Sequence, residues 1–315
     1  PSSALTDVIV AARIGAFIRP RGYGRSKMWI ADTRCMCVGC ASHRVESHIA
    51  RSATNMSGNS KISWTHHTLN PWWGCEKISE GCKNCYADNL SSRYGFDVWG
   101  PSKPRRTFGA EHWLEPLLWN RKAESARIRA RVFCGSMCDW LEQHPTMNAE
   151  RPKLWSLIRQ TPCLDWLLLT KRPERLAENL PNGWGTGYPN VWLGVTVESD
   201  RYTDRFNRYL APLSAAVRFV SCEPALGPVT RLNWPRLDWL IYGAESGAHC
   251  RPHNVQWARD VKARCSEHGI AFFYKQGNGV RAGQDTLLDG ELVQQFPNQL
   301  HCRAVVNRAE VQRLN

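Results

Sequence analysis

The sequence has no apolar run that approaches the ~20 residues of a membrane-spanning helix, so we expect no membrane-embedded segment. Acidic residues are few, 28 against 41 basic ones, and the net charge of +13 favours polyanionic partners, nucleic acid above all. The number of cysteines, 13, is odd, and the sequence shows no secretory signal pattern. Both observations argue against a secreted disulfide scaffold and for a reducing, cytoplasmic compartment. Hydrophobic residues, at 43%, suffice for a large core and exclude a disordered chain.

Residues 1–55 differ in character from the rest of the chain. They carry 8 basic and 3 acidic residues without sustained periodicity, whereas a polar lead-in and a strand-like pattern begin at Met56. We therefore expect a non-native or disordered extension over residues 1–55, a folded domain over residues 56–298 and a C-terminal tail over residues 299–315. The extension contains one group of metal-ligating residue types, Cys35, Cys37, Cys40, His43 and His48. A second metal site is one interpretation, but no folded pattern frames these residues, and we interpret them as incidental.

The domain alternates short apolar runs with helical patterns, and its length is close to the ~250 residues of a βα barrel. The apolar runs cover residues 132–134, 166–169, 191–195, 217–220, 239–242 and 270–274, and a seventh strand is expected near Ile62–Leu69. Helices are predicted over residues 148–159 and 254–268, the second with Asn254 as its N-cap. Unbroken apolar runs are typical of parallel strands buried on both faces. We predict an α/β fold, a full or partial TIM-type barrel of parallel strands, with a doubly wound open parallel sheet as the alternative.

Polar residues follow each of the six apolar runs. In parallel βα folds the ligand binds beyond the carboxyl ends of the strands, where these residues fall. The charged members are Asp139, Lys171, Glu198, Glu223, Glu245 and Lys275. We predict that they converge on one face of the domain; the alternative is that they are ordinary loop residues.

Three cysteines near the start of the domain give the strongest signal. Cys75, Cys82 and Cys85 form a C-x6-C-x2-C pattern in a polar, glycine-rich loop. Gly74 and Gly81 each precede a cysteine, where a missing side chain lets the backbone approach closely. A loop of this composition is a poor place for three buried structural cysteines, so we predict a metal centre.

The number of thiols bears on the kind of metal centre. A structural zinc site usually has four protein ligands, and His66 or His67 could supply the fourth. Three thiolates fit a [4Fe–4S] cluster with one open iron better. We therefore predict an iron–sulfur cluster, with zinc as the alternative.

A three-cysteine loop beside the first strand of a βα barrel resembles the radical S-adenosylmethionine superfamily. That superfamily usually shows C-x3-C-x2-C, whereas here the first gap is six residues and Asn84 precedes the last cysteine. The resemblance implies a [4Fe–4S] cluster that binds S-adenosylmethionine at its open iron. It assigns cofactor binding to Glu223 after one strand and to Gly243, Glu245 and Ser246 after another.

A second resemblance covers almost all of residues 56–298. The motifs that carry it span residues 60–75, 169–173, 192–198, 218–224, 242–247 and 272–276, and include Thr-Lys-Arg-Pro, Ser-Cys-Glu-Pro and Tyr-Gly-Ala-Glu-Ser-Gly. In this ordered series the chain resembles the phage gene-product-37/gene-product-68 family, a domain of unknown function in phages and bacteria. The resemblance implies a three-cysteine cluster and, as a partner, a three-Cys-motif partner protein. It also implies that the natural chain starts at Met56.

Basic and aromatic residues indicate the substrate class. The segment from Trp99 to Phe108 interleaves cations with rings, which is typical of loops that hold phosphates and stack bases. A second basic stretch contains Arg121, Lys122, Arg127, Arg129 and Arg131. A solvated helix face is the alternative for each stretch. Nucleic acid leads as the expected substrate, with a small molecule or a protein as alternatives.

Three functional hypotheses follow from these patterns. The first is a radical S-adenosylmethionine-like enzyme, in which Asp139, Lys171 and Lys275 contact the substrate or transfer protons. The second is a nucleic-acid-binding module without catalysis, stapled by zinc or an iron–sulfur site. The third is a hydrolytic or lyase barrel that uses the acidic residues beside a structural metal.

Overall fold

Seven parallel strands form the centre of the protein in a computed structural model that describes residues 60–298. They are β1 (His67–Leu69), β2 (Ala130–Cys134), β3 (Leu164–Thr170), β4 (Val191–Thr196), β5 (Val217–Cys222), β6 (Trp239–Gly243) and β7 (Ala271–Gln276). The predictions for residues 1–55, their cysteine and histidine group included, and for the tail over residues 299–315 lie outside the described residues.

The strands lie side by side in chain order, from β1 to β7, and every neighbouring pair is parallel. The sheet curls into a half-barrel with helices between its strands. A doubly wound sheet reverses its strand order at a switch point, and this sheet has no such reversal. The predicted partial TIM-type barrel is confirmed. Among the described residues no pairing joins β7 to β1, so the barrel is not closed.

Five α-helices lie in the described part of the chain: α1 (Tyr86–Arg93), α2 (Ala110–Ser125), α3 (Met147–Gln160), α4 (Leu176–Asn179) and α5 (Val255–Glu267). The two helices predicted from periodicity correspond to α3 and α5. The side chain of Asn254 accepts a hydrogen bond from the backbone N–H of Gln256 and caps α5, as predicted. No helix among residues 60–298 is long and apolar enough to cross a membrane.

The first strand is shorter than the sequence pattern indicates. The run over Ile62–Leu69 is regular strand only at His67–Leu69. Ahead of it, the N–H of Thr65 donates to the carbonyl of Ile62 at 3.2 Å, which closes a turn. The apolar alternation that predicted a strand arises because Ile62 and Trp64 pack inside the half-barrel from this turn.

The two faces of the sheet bury separate cores. The outer core lies under the helices and takes alternate strand residues such as Leu168, Leu193 and Leu240. The inner core fills the half-barrel with Trp64, Phe133, Leu167, Trp192, Phe219, Trp239 and Phe273. Because both faces are buried, the strands read as continuous apolar runs. The inner core is apolar below the strand ends, and the carboxyl ends above it carry polar residues.

His67 provides a prediction about stability. Its ring is 3% exposed and stacks on Trp119 with ring centroids 4.4 Å apart. Burial, aided by the charge of Lys122, lowers the pKa of His67 from 6.5 to about 4. As the pH falls, the unfolded state therefore takes up a proton at this histidine before the folded state does. The free energy of unfolding has its full value above pH 6.5 and decreases as the pH falls towards 4. The loss is about 3 kcal/mol by linkage.

The test compares His67→Phe, which keeps a ring against Trp119 but cannot titrate, with the unmodified protein. We expect the free energy of unfolding of the variant, measured in urea, to fall less between pH 6.5 and pH 4. His268→Phe is the matched control, because His268 is exposed and also stacks on a tryptophan, Trp234. Equal pH dependence in His67→Phe and the unmodified protein would contradict the assignment.

Candidate functional site

A cavity of about 640 Å³ opens at the carboxyl ends of the strands, and we call it the mouth cavity. Its floor is formed by the inner-core residues Trp64, Phe133 and Leu169. Its wall includes eight of the ten predicted site residues: Cys75, Cys82, Cys85, Asp139, Lys171, Glu223, Ser246 and Lys275. The two remaining residues, Gly243 and Glu245, lie at the same strand ends but outside this lining. Of the six charged residues that were predicted to converge, four line this cavity, and the other two, Glu198 and Glu245, contact the cysteine loop.

Several residues at the strand ends hold the loop that carries the three cysteines. Arg172, after β3, donates to the carbonyl of Glu76 at 2.9 Å and contacts the Sγ of Cys75 at 3.6 Å. The same guanidinium pairs with Asp139 at 3.2 Å. Asp139 also accepts from the hydroxyl of Thr170 at 2.7 Å and from the backbone N–H of Lys171 at 2.9 Å. Asp139, predicted to contact substrate, thus holds Arg172 against the cysteine loop.

Glu198 anchors the middle of this loop from the end of β4. Its carboxylate is fully buried, accepts from Ser79 Oγ at 2.7 Å and pairs with Arg205 at 2.7 Å. A Cβ added to Gly81 would lie 2.4 Å from Glu198 Oε1, which is closer than any real contact. Gly81 is therefore needed for close approach between the cysteine loop and Glu198, as its place before Cys82 indicated.

Glu245 anchors the end of the loop. It accepts from Asn84 Nδ2 at 3.0 Å and from the backbone N–H of Arg251 at 2.9 Å, and it forms an ion pair with the Arg251 guanidinium. Arg251 also donates to the carbonyl of Glu80 at 3.0 Å. Burial acts to raise the pKa of Glu245, but the hydrogen bonds from Arg251 and Asn84 outweigh it and hold the pKa below its usual value. Glu245 is therefore an ionised anchor of the cysteine loop.

The contact at Gly81 gives a testable prediction. Gly81→Ala would force the cysteine loop away from Glu198, and we expect a loss of about 1–3 kcal/mol in unfolding free energy, the usual cost of overpacking. The measurement is urea unfolding together with the metal content of protein purified without oxygen. Gly109→Ala is the control, because nothing lies within 4 Å of a Cβ at Gly109 and its φ of −71° suits alanine. Equal effects of the two substitutions would contradict the role of the Gly81 contact.

The three thiols have different electrostatic surroundings. Burial, then the charge of Asp139, raises the pKa of Cys75 to about 12. Burial also raises the pKa of Cys85. Burial acts in the same direction on Cys82, but Lys171 and the backbone N–H groups before it outweigh this and lower its pKa below the usual value. Cys82 is therefore the thiol of the three that most readily becomes a thiolate, the form that binds metals.

The two predicted catalytic lysines lie in different settings within the mouth cavity. Lys275, at the end of β7, pairs with Glu223 at 2.6 Å, and Glu223 also accepts from Ser221 at 3.2 Å. The Nζ of Lys171 has a neutral partner, Thr196 Oγ1, at 3.2 Å. No carboxylate among residues 60–298 pairs with Lys171, so its charge is directed at Cys82 and Cys85.

Sequence reasoning missed a fourth thiol in the mouth cavity. Cys138 lines the same space, and the loop residues Gly74 and Cys138 form a backbone bridge that places Cys138 beside Cys75. Burial raises the pKa of Cys138 well above its usual value. Cys138 is distant in sequence from the other three, so no spacing pattern connects them. Its position four residues after the end of β2 was the one available signal.

The two histidines considered as a fourth zinc ligand do not line the mouth cavity. His66 accepts from the backbone N–H of Arg131 at 2.9 Å through Nδ1. The ring of His67 stacks on the ring of Trp119, which belongs to α2. Both lie at or before the amino end of β1, whereas the cavity is at the carboxyl ends. The alternative that one of them supplies a fourth zinc ligand therefore has no support from the cavity lining.

Four of the eight predicted basic residues have partners within the described part of the protein. Arg105 forms a buried, bidentate pair with Glu142, with both distances 2.8 Å. Lys103 pairs with Asp97, and Arg129 pairs with Asp165 at 2.7 Å. Arg131 lies over the ring of Phe296 and donates to the carbonyl of Trp64. Their sequence pattern resembles a phosphate-binding surface because ion pairing with distant carboxylates leaves no local signature.

Among residues 60–298, no three histidine, cysteine or acidic side chains lie close enough together to form a ready-made metal site. The donor chemistry nevertheless suits a thiolate-bound metal. Cys75, Cys82 and Cys85 are free and half-buried, and all three line one cavity. The indole N–H of Trp64, in the same lining, is buried without a hydrogen-bond partner among the described residues. These features fit a group that enters the mouth cavity and brings its own acceptor.

The fold and this site define a class of protein: a parallel α/β half-barrel with a thiol-lined cavity at the carboxyl ends of its strands. The family model described as Protein of unknown function (DUF5131) matches residues 59–297, well over half of the chain, and the chain belongs to that family. No curated protein matches the chain, and no solved structure matches it.

Proposed function

We propose that the protein is an iron–sulfur enzyme of phage or bacterial origin that is similar to radical S-adenosylmethionine enzymes and acts on nucleic acid. The single observation that carries this proposal is the mouth cavity, where Cys75, Cys82 and Cys85 face Lys171 and Lys275 at the carboxyl ends of parallel strands. The resemblance to the gene-product-37/gene-product-68 family supports the same placement of the three cysteines.

The three thiolates would hold a [4Fe–4S] cluster with one iron left for S-adenosylmethionine. When bound, the cluster supplies the electron that splits the sulfonium of S-adenosylmethionine. The volume of the mouth cavity lies within the range of about 300–1,000 Å³ that is typical of cofactor and small-molecule sites.

The surrounding side chains have separate roles in this proposal. Lys171 offsets the negative charge of the thiolates, because its ammonium has no carboxylate partner among the described residues. The pair of Glu223 and Lys275 offers one acceptor and one donor to a zwitterionic ligand. Trp64 and Phe133 make the floor apolar and limit the access of water to it.

The proposal is tested on full-length protein that is purified and reconstituted without oxygen. We expect iron and sulfide in equal amounts, a broad absorbance band in the blue, and 5′-deoxyadenosine from S-adenosylmethionine after addition of dithionite. The control is the same sample without reductant. A protein that binds iron and sulfide but releases no 5′-deoxyadenosine would overturn the proposed cleavage of S-adenosylmethionine. The hypothesis of a hydrolytic or lyase barrel would then remain.

A second candidate function rests on Cys138. With this thiol the mouth cavity holds four cysteines, and four thiolates are the usual ligand set of a closed, structural zinc site. A closed site would make the protein a metal-stapled nucleic-acid-binding module without catalysis. Zinc at one atom per chain, colourless protein and loss of zinc in Cys138→Ser would favour the module. Iron content that is unchanged in Cys138→Ser would favour the enzyme.

A three-Cys-motif partner protein is the expected protein partner. The cysteine loop lies at the rim of the half-barrel, and its residues Lys77, Ile78, Glu80 and Lys83 are exposed. Co-expression of the two proteins, followed by size-exclusion chromatography, tests whether they form a complex.

A further inference from the structure

A second cavity, of about 480 Å³, lies beside the mouth cavity, and we call it the aromatic groove. Its lining includes the rings of Trp73, Tyr86, Tyr94 and Phe96 and the cations Lys61 and Arg106. No carboxylate of the described residues contributes to this lining. Rings and cations without acidic groups suit a flat ligand that carries negative charge.

Arg106 is held rigidly in the aromatic groove. Its backbone pairs with that of Trp73 through two hydrogen bonds of 2.9 and 3.0 Å. Its guanidinium lies over the rings of Trp73, Phe96 and Phe108, at 4.8, 4.4 and 4.8 Å from the ring centroids. No hydrogen bond joins the Arg106 guanidinium to another of the described residues, so its N–H groups are available to a ligand.

The charge of Arg106 is not neutralised within residues 60–298. No carboxylate there lies within 4 Å of its guanidinium, whereas its neighbour Arg105 is buried and paired with Glu142. Two adjacent arginines thus have opposite settings, one closed inside the fold and one presented in a groove. A planar guanidinium without a carboxylate partner is the group that best recognises a phosphate.

The aromatic groove adjoins the mouth cavity. Lys61, Ile62, Tyr86 and Ser136 line both cavities, and the hydroxyl of Tyr86 donates to the carbonyl of Ser136 at 2.9 Å. Because the two cavities share these residues, a strand that places one nucleotide in the groove brings the next nucleotide to the edge of the mouth cavity.

We infer that the aromatic groove binds one nucleotide of a single-stranded nucleic acid, whose neighbouring nucleotide reaches the mouth cavity. The base stacks on the exposed ring of Tyr94, which is 62% exposed, and the phosphate contacts Arg106. Stacking on an aromatic ring accepts any base, so the groove sets the class of substrate and not its sequence. The inference rests on the proposed function only for the chemistry in the mouth cavity, because nucleotide binding itself needs no cluster.

The experiment measures the binding of a fluorescein-labelled, mixed-sequence single-stranded RNA to the full-length chain by fluorescence anisotropy. The RNA has about 12 nucleotides, which is enough to cover one such site. We expect Arg106→Gln and Tyr94→Ala each to weaken binding about tenfold, the scale of one lost stacking or phosphate contact. Arg121→Gln is the matched control, because Arg121 is an exposed arginine on α2 outside the groove, and we expect a change below about twofold. Circular dichroism checks that each variant is folded. If Arg106→Gln does not fold, the test still rests on Tyr94→Ala, because Tyr94 is exposed and its replacement should not disturb the fold.

Competition with adenosine monophosphate separates the two sources of a nucleotide. Displacement of the RNA only by other strands supports the strand assignment, and binding of free adenosine monophosphate that is lost in Arg106→Gln assigns the groove to a mononucleotide. Unchanged RNA binding in both Arg106→Gln and Tyr94→Ala would overturn the inference, as would a protein that binds neither the RNA nor adenosine monophosphate. RNA binding is measured on protein as purified and again after reconstitution with iron and sulfide. Weaker binding by Arg106→Gln in both samples assigns the loss to the groove and not to a missing cluster.

Discussion

Replacing Cys82 by serine should remove the proposed metal centre almost completely. An intact [4Fe–4S] centre corresponds to about four iron atoms and four sulfides per chain, and we expect less than about one iron after the substitution. The reason is that three thiols are the minimum ligand set, and Cys82 is the one whose pKa is lowered, by Lys171 and nearby N–H groups against the opposing effect of burial. Iron and sulfide analysis of protein purified without oxygen is the measurement.

Cys250→Ser is the matched control for this prediction. Cys250 is also a free, half-exposed thiol in a loop after a strand, but it does not line the mouth cavity. We expect it to retain the metal content of the unmodified protein. Cys37→Ala, in the segment outside the described residues, should likewise leave the metal content unchanged. If Cys82→Ser retains full iron, or if Cys37→Ala loses it, the assignment of the ligands is wrong.

Removing the carboxylate of Glu142 should strongly destabilise the protein. Arg105 and Glu142 are both almost fully buried, with side chains 1% and 3% exposed, and they are joined by two hydrogen bonds of 2.8 Å. Glu142→Ala would leave the charge of Arg105 buried and uncompensated, which costs about 3–5 kcal/mol. Urea unfolding of the full-length protein measures this loss.

Two further variants make the cause specific. The double variant Arg105→Met, Glu142→Leu removes both charges and should recover a large part of the lost stability, because a buried pair and an apolar pair of similar volume are often equally stable. Glu267→Ala breaks an ion pair with Arg264 at the surface and should have little effect. A double variant less stable than Glu142→Ala would mean that packing, and not the unpaired charge, explains the loss.

The cysteine loop is better understood as a segment clamped by the strand ends than as a free metal-binding loop. Arg172 after β3, Glu198 after β4 and Glu245 after β6 each bind a different part of it. Several acidic residues predicted to contact a ligand therefore act on the loop that carries the predicted ligands. Positioning of this kind places three half-buried thiols at one cavity without burying them in the core.

Much of the fold was determined by local sequence. The apolar runs at β3 to β7 predicted the strands because residues buried on both faces of a parallel sheet leave an unbroken hydrophobic pattern. Asn254 predicted the start of α5 because an N-cap acts on the backbone N–H two residues ahead. The spacing of Cys82 and Cys85 predicted a shared site because two residues between cysteines bring their side chains to one place. The alternation of strands and helices was enough to predict a partial barrel.

Tertiary structure alone decided what each polar residue does. Arg105 and Arg106 are adjacent in sequence but differ in setting. The fold brings a carboxylate 37 residues away to Arg105, and it brings aromatic rings but no carboxylate of the described residues to Arg106. Cys138 lines the mouth cavity because the loop after β2 bridges to the cysteine loop at Gly74. His66 and His67 do not line it, because the first is bonded to the backbone of Arg131 and the second packs against Trp119. Periodicity and spacing report the environment of neighbouring residues, whereas ion pairs and cavity linings depend on contacts between residues far apart in the chain.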